Sequence, residues 1–149
     1  MARYAWRRVA RNWLVGTATL EETEGERLIG TLKMIDRSGA VAETPHGPFS
    51  FRAGGRIGHD AAIVQLFDER TIASLAVHPF RKRLSFKDGG AYDWRPSFLL
   101  RRHRWFRSGE AVVIVRTNGE IETAEDLPPF EASVLLFFGL YLMLSGRAG

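Results

Sequence analysis

The sequence predicts a mainly β fold: a closed antiparallel barrel of about twelve strands wrapped around a central hydrophobic C-terminal helix. Three observations lead there. Between Leu14 and Ala124 the apolar residues come in short runs broken by turn chemistry, a pattern of strands rather than helices. Some of those runs alternate, giving one apolar face each. The stretch from Val134 to Leu144 differs, because every residue in it is apolar or glycine. A helix drawn through it has no polar face and must be buried on all sides.

Taken in order, Leu28, Gly30, Leu32 and Met34 share one face while Arg27, Thr31 and Lys33 look outward. Asp36-Arg37-Ser38-Gly39 then joins LKMI to AVAE, and Phe67-Asp68-Glu69-Arg70 separates AAIVQLF from TIASLAV. The segment from Thr71 to Val77 alternates less cleanly, but its small residues suit a strand with something bulky against it. Asp88-Gly89-Gly90 joins RLSFK to AYDW, and Arg107-Ser108-Gly109 joins RRHRWF to EAVVIV. Asn118-Gly119 follows Val113-Ile114-Val115 as a two-residue hairpin signal, since both positions tolerate positive φ. Pro128-Pro129 stops the strands, Glu131 favours the positive end of the following helix, and Gly146 supplies its stop signal.

A helix crossing a bilayer needs ~20 apolar residues, and the run from Val134 to Leu144 is much shorter, so no transmembrane segment is expected. A barrel threaded by the helix buries the apolar faces of strands and helix together and removes the sheet edges. A two-sheet sandwich with the helix outside would leave Phe137, Phe138, Tyr141 and Met143 partly in water.

With 149 residues the whole chain, 1–149, fits one domain. Cysteine is absent, which removes disulfides, thiolate chemistry, Cys-based zinc sites and cysteine lipidation, and suits a reducing compartment. The N-terminal MARYAWRRVARNW has basic residues without an apolar stretch behind them, unlike a secretory signal. The expected location is therefore the cytoplasm. Net charge is +4, but unevenly spread. From Phe80 to Arg107 nine basic residues face only Asp88 and Asp93, whereas Glu110 to Glu131 holds six acidic residues against Arg116 alone. Glu21, Glu22, Glu24 and Glu26 form another acidic cluster. Such asymmetry either creates an anion-attracting patch or is neutralised across neighbouring strands.

Catalytic and metal constellations are not found. His46, His59, His78 and His103 are widely separated, with no HExxH or Cys-based metal spacing, so no metal or other cofactor is expected. No serine sits in a G-x-S-x-G elbow, and Asp88 and Asp93 flank a Gly-Gly turn, where Asp is favoured for backbone hydrogen bonds. Arg52-Ala53-Gly54-Gly55-Arg56-Ile57-Gly58-His59 is glycine-rich, but a strand, not the helix of a phosphate cradle, follows it.

The order Gly90-x-Tyr92-x-Trp94, then Trp105-Phe106-Arg107-Ser108-Gly109-Glu110, then Gly119-Glu120-Ile121-Glu122, then the apolar helix, resembles the tubby C-terminal-like superfamily. That group includes tubby domains, phospholipid scramblases, LURP-one-related proteins and small prokaryotic proteins, and the last are the nearest in kind. The resemblance implies a twelve-stranded barrel around a central helix and an association with lipid. Tubby domains bind phosphoinositides through basic residues, and scramblases act at membranes. This chain lacks the scramblase cysteine cluster and calcium-binding segment, is shorter than a tubby domain, and matches no tubby phosphoinositide motif residue by residue.

The basic stretch is the feature that stands above background. Arg81, Lys82, Arg83, Arg101, Arg102, Arg104 and Arg107 form the candidate lipid- or anion-binding set. Arg81 and Arg83 share a strand face with Lys82 opposite, and Arg101 to Arg104 put charge on both faces, so some of these side chains belong at a rim. Guanidinium forks suit phosphate oxygens, with Trp105 and Phe106 beside them as possible interfacial anchors. The partner expected is anionic phospholipid at a membrane surface, or an acidic protein. Nucleic acid is disfavoured, since no recognition motif accompanies the patch. The sequence thus reads as a non-enzymatic binding module, peripheral at the membrane. The alternative is a scaffold or protein-interaction domain without a small-molecule ligand.

Overall fold

Strand structure begins earlier than the sequence reading placed it. Tyr4 and Trp6 are half-buried while Arg3, Ala5 and Arg7 are exposed, the two-residue period of a strand with one face inward. This segment is β1 (Ala2–Asn12), followed by β2 (Val15–Glu22), β3 (Leu28–Asp36), β4 (Gly39–Thr44), β5 (Gly47–Gly54), β6 (Asp60–Gln65), β7 (Arg70–His78), β8 (Arg81–Phe86), β9 (Ala91–Ser97), β10 (Arg102–Arg107), β11 (Glu110–Arg116), β12 (Glu120–Thr123) and α1 (Pro129–Leu144). The computed structural model describes residues 2–12, 15–22, 28–36, 39–54, 60–66, 68–78 and 81–144. Gly55 to His59, Gly146, Glu24, Glu26, Arg27 and parts of two predicted turns (Arg37, Ser38 and Phe67) lie outside the described residues.

The strands form one antiparallel sheet with the helix packed on it. Sequence neighbours pair throughout, as in Thr31↔Glu43 and Arg104↔Arg95. β1 pairs with β2 through Tyr4↔Glu22 and with β12 through Ala2↔Thr123 and Ala5↔Glu120. The helix lies against β10 and β11 and also against β3 and β4. Its residues from Ser133 to Leu142 are all buried, as the missing polar face demanded.

Aromatic residues and one glycine fit helix to sheet. Phe138 meets Phe51 edge-on at 5.1 Å and stacks near Trp105 at 6.1 Å. The Trp105 indole N–H donates to the Leu135 carbonyl at 3.0 Å, so Trp105 is a core residue and not an interfacial anchor. At Gly139 a Cβ would come within 2.8 Å of Trp105 Nε1 and 3.2 Å of Trp94 Cζ3. Absence of a side chain there lets the helix reach the indoles. The helix start is tied down by Glu131, whose Oε1 accepts from the Gly90 N–H at 2.8 Å and the Tyr92 hydroxyl at 3.1 Å. Two donors compensate a carboxylate that is largely removed from water.

Local details depart from the sequence reading in two places. Leu28 is 57% exposed rather than inward, because Leu20 faces Gly30 and Glu21 faces Leu28, leaving Ile29 as the extra residue of a bulge that shifts the alternation. Gly30, Leu32 and Met34 keep their predicted side. The Asn118-Gly119 turn is a three-residue connection, Thr117 to Gly119, with only Gly119 at positive φ (106°). The two-residue turn with both positions left-handed is Ser108-Gly109 (φ 51° and 84°).

Candidate anion-binding surface

Pleating decides which basic residues meet. On β10, His103 and Trp105 point into the core, which turns Arg102 and Arg104 to the outer face. Arg95 on β9 stands directly opposite Arg104. Phe106 follows Arg104 by two residues on the same outer face, so its ring lies beneath these cations: the guanidinium carbons of Arg95 and Arg104 lie 4.2 and 4.9 Å from its centroid. Phe106 is buried, and it serves as a platform that holds two arginines side by side.

Like charges stand close together at Arg104. Burial first, and then the neighbouring Arg102 and Arg95 cations, lower the Arg104 pKa from its ordinary value. The Nε atoms of Arg102 and Arg104 are buried and meet no acceptor among the described residues. Among the described residues, Arg95, Arg102 and Arg104 make no ion pair. An anion placed against this face relieves the mutual repulsion and supplies acceptors to Arg fork donors.

Other members of the predicted set are engaged elsewhere. Arg83 grips Asp93 across the β8–β9 ladder with contacts of 2.9 and 3.3 Å, which raises its pKa through the hydrogen bond first and the charge second. Arg107 donates to Asp126 at 2.6 Å and Arg116 lies 3.2 Å from Glu122, so parts of the basic and acidic blocks do neutralise each other. Lys82 falls on the same side of β8 as buried Leu84 and Phe86, away from the outer arginines, and is half-buried. The side chain of Arg81 lies outside the described residues. Arg101 sits in the turn ahead of β10 with φ of 52°. The predicted set therefore splits, and Arg95, absent from it, joins Arg102 and Arg104. Its signal was register: only the pairing of β9 with β10 sets Arg95 against Arg104.

Two features border the surface. The β9–β10 turn carries Phe98, Leu99 and Leu100, which are 64%, 93% and 56% exposed. Beneath it, His103 is buried, stacked on Trp94 at 5.7 Å and edge-on to Phe98 at 5.2 Å, and burial pushes its pKa below 6.5. At the opposite end, where the helix begins, a cleft of about 340 Å³ is lined by Arg70, Lys87, Asp88 and Glu131 among others. Its charges offset one another, and Arg70 already meets Asp88 at 3.4 Å. Among the described residues, no group of three His, Cys, Asp or Glu side chains is arranged to hold a metal ion, and no helix is long and apolar enough to cross a membrane. Comparison with known protein families, with curated proteins and with solved structures finds no match.

Proposed function

We propose that this chain is a non-enzymatic binding module that associates with anionic phospholipid at the cytoplasmic face of a membrane, peripherally and without spanning it. The observation that carries the reading is the cluster of Arg95, Arg102 and Arg104 on adjoining strands, held over Phe106 with no carboxylate partner among the described residues. Three unneutralised guanidinium groups on one face suit clustered phosphate oxygens. The same reading places the chain with tubby C-terminal-like proteins and takes its sheet as a barrel closed around the helix. Closure is supported by the pairing of β1 with both β2 and β12, and enclosure by helix contacts to strands as far apart in the sheet as β3 and β10.

Co-sedimentation with phosphatidylcholine vesicles, with and without phosphatidylserine, tests the lipid reading. Binding is expected to the anionic vesicles alone and to weaken with added salt. At ~1 kcal/mol for each cation near an anionic surface, Arg102→Gln with Arg104→Gln should weaken binding roughly 30-fold while leaving the circular dichroism spectrum unchanged. Equal binding by a folded double variant overturns the assignment of these arginines.

A further inference from the structure

The β9–β10 turn exposes three consecutive large apolar side chains, Phe98, Leu99 and Leu100. Nothing in strand alternation requires this, since turns ordinarily take polar or conformationally special residues. The turn is also braced. Arg101 N–H donates to the Phe98 carbonyl at 3.2 Å, and Thr117 N–H donates to the Arg101 carbonyl at 3.1 Å, tying this turn to the one between β11 and β12. Leu100 N–H donates to Ser97 Oγ at 3.4 Å, and the His103 ring supports Phe98 from below. Leu99 is thereby held at the apex of a pre-formed protrusion, so little ordering cost attends its transfer to another phase.

Arginines occupy the shoulders of that protrusion: Arg101 within the turn, Arg102 at the start of β10, and Arg95 and Arg104 one step further along the strands. An apolar apex flanked on its outer face by cations matches the layered chemistry of an anionic bilayer, with acyl chains beneath phosphates. We propose that this turn is a membrane-inserting tip, in which Phe98, Leu99 and Leu100 enter the headgroup–acyl boundary while Arg95, Arg101, Arg102 and Arg104 engage the lipid phosphates around them. The inference rests on the anionic-lipid reading above and adds to it a depth, an orientation and a salt-resistant component of binding.

Because the chain has no cysteine, Leu99→Cys provides a single site for an environment-sensitive fluorophore. Glu110→Cys, at the far end of the β10–β11 hairpin, provides the control. On phosphatidylcholine–phosphatidylserine vesicles containing brominated acyl chains, the label at 99 should shift to the blue and be quenched, while that at 110 should do neither. Leu99→Gln should reduce partitioning of the otherwise unmodified chain at least roughly tenfold, and the loss should persist at high salt, where the arginine contribution is screened. Sedimentation of the wild-type chain with an unquenched label at 99 overturns the tip and leaves the arginine reading standing. No sedimentation of the wild-type chain removes both. A blue shift that grows with protein concentration in the absence of vesicles assigns the tip to a second copy of the chain and likewise overturns the proposal.

Discussion

His103 illustrates how a single residue couples the candidate surface to stability. Its ring is sandwiched between Trp94 inside and Phe98 at the turn, and burial lowers its pKa. A base depressed in the folded state contributes stability that is present above its unfolded value of about 6.5 and is lost as pH falls toward the folded value. The unfolding free energy from denaturant titrations should therefore decline as pH drops below about 6.5, by at most about 1.4 kcal/mol per pH unit from this one group. His103→Phe, which keeps a ring but cannot titrate, should flatten that acid limb; an unchanged slope in the variant would exclude His103 as its source. Tyr92 titrates at the other extreme. Burial, then the Glu131 carboxylate, pushes its hydroxyl up to about 12, so its donation to Glu131 persists at any ordinary pH.

At the scale of elements, the helix was the most legible part of the chain, because eleven successive apolar or glycine residues admit burial only. The pattern did not reveal why residue 139 is glycine, which follows from the approach of Trp94 and Trp105. Gly139→Val should cost about 1–3 kcal/mol through overpacking against the two indoles, and Leu140→Asp should cost more by burying an unpaired charge. Thermal melts of both variants check this, and a wild-type melting temperature in Leu140→Asp would refute burial of the helix. Strands were legible where turn residues punctuated them. They were illegible at β1, whose arginines masked the alternation of Tyr4 and Trp6, and at the β9–β10 turn, which has neither glycine nor asparagine and achieves its left-handed position with Arg101.

For the whole molecule the decisive element is β1. Tyr4 and Ala5 stand opposite Ile121 and Glu120 of β12 and opposite Glu22 and Glu21 of β2, and the Trp6 N–H donates to the Gly119 carbonyl just ahead of β12 at 2.8 Å. In antiparallel ladders successive amides point to opposite neighbours, so a closed sheet should protect Tyr4, Ala5 and Trp6 alike from hydrogen exchange. An open edge would leave every second amide exchanging near the solvent rate. Amide exchange followed by NMR distinguishes the two, and alternating protection along β1 would exclude closure. Charge belongs to the same scale. The basic and acidic segments partly cancel through Arg107–Asp126 and Arg116–Glu122, and three arginines without an ion pair among the described residues, Arg95, Arg102 and Arg104, stand together where β9 meets β10.

The amino-acid sequence by itself determined the strand-rich class, most of the turns and the buried helix, because these follow from local periodicity and from residues whose backbone freedom is particular to them. It also marked the segment in which cations concentrate. Only the tertiary structure decided which of those cations lie together: Arg83 and Arg107 were claimed by Asp93 and Asp126, Lys82 was turned to the inner side, and Arg95 was brought beside Arg104. Those outcomes depend on strand register. Register is set by pairings between residues distant in the chain, and a displacement of one residue moves a side chain to the opposite face.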